Sequence, residues 1–247
     1  MKKCVFLLFS LIAINGVAQS LRDTSIAGTL IAGNFGYFFP GVDFAKRFGN
    51  TSSVGGTIFR KTRSNYFIGL GSDFIYGRNV KDAAFIDSIS SGNDLIGYTG
   101  TIAEVALYAR GFTAYATAGT LVPIRSINPN SGILFTAGLG FLQHKIRIVD
   151  LDEILLQLDD TYKKGYDRLT NGILLCQSVQ FLNLDAHHRI NFKIGLEFKE
   201  ALTRNRRSWN FDERRQDEAL RFDLMFGLSG SWILPFYSKS EERFYSF

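Results

Sequence analysis

The chain has 247 residues and a formal charge of +5, and its 14% aromatic content includes 23 Phe and 10 Tyr beside 24 Gly and only 4 Pro. Hydrophobicity at this level excludes a disordered chain, and abundant aromatics with few prolines suit one long-stranded all-β domain. The weak basicity is no argument for a nucleic-acid partner.

Residues 1–18 read as a signal peptide. Lys2 and Lys3 form the basic start, residues 4–14 the apolar core, and Gly16, Val17 and Ala18 the small residues before cleavage at Gln19. The apolar run is too short for the ~30 Å of a bilayer core. Its loss takes the charge from +5 to +3, because the leader holds two lysines and no acid. The mature domain, 19–247, then keeps Cys176 alone, which excludes an internal disulfide. It has no apolar run that suits a transmembrane helix, so a span would have to be a barrel.

Eight strands are predicted in chain order: 29–39, 53–61, 66–77, 104–118, 132–148, 172–183, 190–199 and 221–234. The seventh is the clearest, with Ile190, Phe192, Ile194, Leu196 and Phe198 on one face and Asn191, Lys193, Gly195, Glu197 and Lys199 on the other. A period of two with one apolar and one charged face fits a soluble sandwich or a barrel whose apolar face meets lipid. The connections decide between them. From the second strand onward they alternate short and long, with polar turns at 62–65, 123–131 and 185–189 against loops at 78–103, 149–171 and 201–220. Membrane barrels sort their connections this way, and sandwiches have no reason to. The expected fold is therefore an eight-stranded antiparallel transmembrane up-and-down β-barrel with short periplasmic turns and long extracellular loops, located in the outer membrane. Tyr66 and Tyr76 lie ten residues apart on one face, about 25 Å along the membrane normal at the usual tilt. With Trp232 they are candidates for the interfacial aromatic girdles. Pro235 is expected to end the last strand, leaving 238–247 as a periplasmic tail or part of an insertion signal.

The stretches PGVDFAKRFG at 40–49, GFLQHKIRI at 140–148, GYDRLTNG at 165–172, NRRSWNFD at 205–212 and WILPFY at 232–237 resemble a set of outer-membrane β-barrel proteins of Bacteroidetes-type bacteria. The resemblance implies the location and the barrel and carries no catalytic residues.

An eight-stranded barrel is filled by its own side chains or holds one small ligand. The inward charges Asp73, Lys193, Glu197, Lys199 and Asp223, interspersed with glycines, are expected to form a paired lumen network, since unpaired buried charges are costly. The alternative is a narrow solute path. The loop that carries Arg204, Arg206, Arg207, Trp209, Arg214 and Arg215 suits phosphate and carboxylate groups, hence lipopolysaccharide or an acidic protein partner. A solvated loop paired with Glu213, Asp217 and Glu218 reads equally well. Leu151, Ile154, Leu155 and Leu158 recur at helical spacing and predict a short helix over the barrel mouth. His144 is the one histidine near an outer rim and has no Ser beside it, while His187 and His188 fall in a turn. No metal or cofactor is expected. The leading functional expectation is a non-enzymatic structural or partner-binding barrel, with an accessory subunit of an envelope assembly as one form of that role. A lipid-modifying enzyme built on His144 and a small-solute pore are the alternatives.

Overall fold

The computed structural model describes residues 25–83, 85–86, 95–124, 127–152, 154–155, 158–185 and 190–237. The leader, His187, His188 and the tail 238–247 lie outside the described residues. Eight antiparallel strands pair in chain order and close into a barrel. They are β1 (Gly28–Val42), β2 (Thr51–Lys61), β3 (Tyr66–Gly77), β4 (Val105–Pro123), β5 (Gly132–Asp150), β6 (Thr170–Leu184), β7 (Asn191–Asn205) and β8 (Leu220–Tyr237). Among the described residues the loops carry the short helices α1 (Phe44–Arg47) and α2 (Asp160–Tyr166). The strand starts of β1, β3, β5 and β7 lie at one end, here the near end. That end carries the turns 62–65, 124–131 and 185–190, and the far end carries the loops 43–50, 78–104, 151–169 and 206–219.

Alternation along each strand separates the two faces. On β7 the buried Lys193, Lys199, Ala201 and Thr203 point inward, while Ile194, Leu196, Phe198 and Leu202 are exposed outward. Tyr66, Ile68, Leu70 and Phe74 do the same on β3, and Phe226, Leu228, Trp232 and Leu234 on β8. Exposed apolar side chains thus encircle the barrel, an arrangement water disfavours and lipid accepts. With every strand paired on both sides there is no open edge to satisfy. A ring with this belt is an integral outer-membrane barrel.

Register fixes the barrel's shape. Partners followed from Gly33 through Gly56, Ser72, Ala114, Phe141, Ile173, Leu202 and Phe222 return to Asp43, a stagger of ten residues. With ~3.3 Å per residue and ~4.8 Å between strands, the strands tilt by about 40°. Each residue then rises about 2.5 Å along the axis, and the belt between Tyr66 and Tyr76 is about 25 Å tall.

Two expectations are corrected. Pro235 does not end β8, which continues to Tyr237 with Pro235 opposite Leu30. The ladder with β7 has already stopped at Trp232, so no neighbour on that side needs an amide donor. Pro40 and Pro123 likewise sit where one of their two neighbours has ended. The strands also run further than their apolar periodicity. β7 extends to Asn205, so Arg204 is an outward strand residue and not a loop residue.

Two glycines make a matched test of the wall. A Cβ on inward Gly227 would collide with the carbonyl oxygen of Tyr37, whereas one on outward Gly33 would meet nothing within 4 Å. Gly227→Ala should lower the urea midpoint of the folded barrel by an amount equivalent to about 1–3 kcal/mol, and Gly33→Ala should leave it within error. Heat-modifiable gel mobility reads the folded fraction in both.

Candidate functional site: the lumen and the far-end cap

The inward side chains form three layers. Nearest the termini, Leu30, Phe59, Phe67, Leu121, Leu134, Leu182 and Ile233 make an apolar floor. Toward the far end, Phe38, Ile75, Leu142, Leu174, Ala201 and Met225, drawn from six strands, make a second apolar layer. Polar side chains lie between them. A void of about 30 Å³ remains there, lined by residues that include Asn34, Thr57, Asp73, Tyr115, Lys193 and Glu197. That is room for a water molecule or two.

The middle layer is organised around Asp73. Lys199 Nζ, from the opposite wall, donates to Asp73 Oδ2 at 2.8 Å. Tyr115 Oη donates to the same oxygen at 3.2 Å, and Asn34 Nδ2 donates to Oδ1 at 3.1 Å. Glu197 approaches Lys199 at 3.3 Å. The Lys199 ammonium lies 4.8 Å from the Phe38 ring centroid, which seats it against the upper apolar layer. One carboxylate thus links β1, β3, β4 and β7 through charge-assisted bonds that are out of water.

Lys193 and Asp223 stand apart from this group. Lys193 Nζ donates to Gln180 Oε1 at 3.0 Å and lies 5.2 Å from the Phe59 ring centroid. Gln180 Nε2 in turn donates to Ser229 Oγ at 2.6 Å. Asp223 Oδ2 meets His144 Nε2 at 2.9 Å and accepts from Thr203 Oγ1 at 2.6 Å. The stagger explains the separation, because it lifts Asp223 about 10 Å above Asp73 along the axis.

His144 and Asp223 are sealed by the loop between β1 and β2. The buried rings of Phe44 and Phe48, on and just after α1, stand edge-on to His144 at 5.3 and 5.4 Å. Arg47 Nη1 donates to Thr170 Oγ1 at 2.7 Å, and Nη2 lies 3.6 Å from Asp217. Above this plug the other loops interlock. Arg168 is buried at φ 51°, its guanidinium donates to Asp212 Oδ1 at 3.0 Å, and it meets Asp82 at 3.3 Å and Glu213 at 3.7 Å. Arg207 Nε donates to Asp167 Oδ1 at 2.8 Å, and this raises the Arg207 pKa through the shared hydrogen bond, partly opposed by burial. Burial pushes the Asp217 carboxyl up, but hydrogen bonds from Arg221 and Asn205 and the charge of Arg221 hold it below its usual value.

The arginine-rich segment is therefore divided. Arg207 is engaged inside the cap. Arg206 donates to Asn171, Arg215 donates to Glu213 at 2.8 Å, and Arg204, Arg214 and Trp209 are exposed. The predicted leucine helix is corrected as well. Leu155 and Leu158 are buried in the upper apolar cluster, Leu151 is exposed, and the helix described in this loop is α2, further on. Sequence reasoning missed Arg47, Tyr115, Asp167 and Arg168, although three of them lie in the stretches quoted for the family resemblance. It also missed Lys61, whose buried ammonium donates to Ile26 O and Asn130 Oδ1, both at 2.9 Å, at the near end.

No protein-family model matches the chain, and no curated protein matches its sequence. Among solved structures the chain is similar to Ail, the attachment invasion locus protein of Yersinia pestis, at 8% identity and a TM-score of 0.45, over 85% of this chain and 99% of that one. The same protein in complex with the heparin analogue sucrose octasulfate aligns at 10% identity and a TM-score of 0.42, over 85% and 99%. The outer membrane protein OprG of Pseudomonas aeruginosa aligns at 12% identity and a TM-score of 0.38, over 87% and 99%. At these identities the likeness concerns the fold alone. It gives no support to a Bacteroidetes-type origin.

Two predictions follow from the geometry. Lys199→Met strands Asp73 in the lumen and should cost about 3–5 kcal/mol, while adding Asp73→Asn should restore part of that loss. Lys193→Met leaves no carboxylate behind and should cost clearly less. Urea unfolding of the folded barrel measures all three. For the cap, a lowered Asp217 pKa means that its contribution is present above ~3.9 and is lost as pH falls through the depressed folded value. Amide hydrogen exchange in 206–219, compared at equal intrinsic rate, should rise below about pH 4, and Asp217→Asn should show the looser state already at pH 7.

Proposed function

We propose that the protein is a non-enzymatic outer-membrane barrel that works through its outside surfaces, as a structural or partner-binding element of the envelope. The observation that carries this is the filled lumen. Two apolar layers enclose the polar one, and the space left is about 30 Å³. A hydrated path would have to cross both, so the geometry offers nothing to a pore. The lipid-modifying enzyme is disfavoured for a parallel reason. His144 is 1% exposed, faces Asp223, and lies under two phenylalanines, where no substrate reaches it. The cap of interlocked loops, which we place on the extracellular side with the short turns in the periplasm, then forms a rigid platform. The charge network in the lumen and the girdle residues Tyr66, Tyr76 and Trp232 serve to hold the platform in the membrane.

The lipid-facing wall carries one feature that lipid does not explain. Gln177 and Glu200 point outward from β6 and β7 inside the apolar belt, and neither has a hydrogen-bond partner among the described residues. Stagger puts Gln177 near the middle of the belt and Glu200 about 8 Å above it. Uncompensated polar groups at this depth mark contacts with other proteins. This wall is where a membrane-embedded partner would sit.

The reading predicts no discrete conductance from the folded protein in planar bilayers, and stepwise currents would overturn it. A photo-crosslinking residue at position 177 should yield a specific adduct in native membranes, and one at position 70, on the opposite wall, should not. Equal labelling at both positions would remove the partner surface.

A further inference from the structure

A groove of about 940 Å³ runs along the far ends of β4 and β5, bounded on its other side by the loop 151–169. Six cations line it: Arg110, Lys145, Arg147, Lys163, Lys164 and Arg207. Two of the acids beside them are already committed. Asp167 holds Arg207, and Asp150 Oδ2 accepts the Leu155 amide at 2.7 Å. Lys145 reaches Asp167 only at 3.9 Å. Arg110 rests against the Tyr108 ring at 5.0 Å and donates to a backbone carbonyl. Arg147 and Lys164 form no ion pair among the described residues. The six cations outnumber the three acids of the lining, Asp150, Asp159 and Asp167, so the groove keeps a surplus of positive charge, and the Arg147 guanidinium remains to take a planar anionic group.

Its position sets the kind of anion. Arg110 stands two residues beyond outward-facing Phe112, whose ring lies 5.9 Å from that of Phe141 at the upper edge of the apolar belt. The cations thus start about 5 Å above the aromatic edge and reach some 15 Å beyond it. The lower part of that interval falls in the headgroup zone of the leaflet, and the rest stands just outside it. Phe74, Leu155 and Leu158 add an apolar side to the groove. A ligand with phosphates at this height and hydrocarbon along the belt below would satisfy both surfaces, and a soluble anion would use only one.

We propose that this groove binds the phosphorylated headgroup of a saccharolipid in the outer leaflet. The assignment rests on the outward placement of the far end. Of the arginine segment it takes Arg207 alone, since Arg204, Arg206, Arg214 and Arg215 lie outside the groove.

Native mass spectrometry of the folded protein released from detergent tests it, with bisphosphorylated lipid A, the same lipid stripped of both phosphates, and inorganic pyrophosphate as probes. Wild type should retain bisphosphorylated lipid A about tenfold more than the stripped form. Arg110→Ala, Arg147→Ala and Lys164→Ala combined should erase that preference. The pair Arg214→Ala and Arg215→Ala should keep it. Equal retention of the two lipids, or undiminished binding by the triple variant, would overturn the site. Displacement of the lipid by an equimolar amount of pyrophosphate would overturn its assignment to a lipid. Heat-modifiable mobility of each variant certifies the fold. A conducting channel would sink the scaffold reading and leave lipid retention unchanged, so the two failures are distinguishable.

Discussion

The stagger of ten residues around eight strands governs the rest of the molecule. It fixes the tilt at about 40° and with it a radius that side chains from opposite walls can span. That is how Lys199 on β7 reaches Asp73 on β3 across the full width of the lumen. A wider ring would have left both ions facing water, where their bond would contribute little. In this ring they are out of water, so each needs the other, and Tyr115 and Asn34 complete the carboxylate's shell. The apolar layers above and below shut that polar layer off from bulk water.

Strand order, antiparallel pairing and the lipid-facing side of β7 were all legible in the sequence, because a period of two states which side chains share a face. Height was not legible. Asp73 and Asp223 both belong to the inward set by alternation, but only the register around the whole ring reveals that one lies about 10 Å above the other. Inward apolar side chains were hidden for a related reason. Phe59, Phe67 and Phe38 read as strand hydrophobics, and in a barrel such residues are assumed to face lipid until pairing says otherwise. Strand ends were underestimated because the ladder continues past the apolar belt, through Arg204 on β7 and to Asp150 on β5.

Three of the five stretches that prompted the family resemblance meet at the far end, whereas WILPFY lies at the near end. PGVDFAKRFG supplies Phe44, Arg47 and Phe48 to the plug. GYDRLTNG supplies Asp167, Arg168 and Thr170, and NRRSWNFD supplies Arg207 and Asp212. Segments far apart in the chain thus hold complementary charges that meet only after the barrel has closed. Local pattern cannot announce such pairs, since each half reads alone as a solvated, charged loop.

Arg168 touches Asp82 from one loop and Asp212 and Glu213 from another, while Arg207 returns to Asp167. Each of these pairs joins two loops, so removing one of its charges leaves a partner in the neighbouring loop unpaired. An antibody raised against the intact surface would therefore recognise a composite of three loops, and linear peptides copied from any one of them would make poor immunogens.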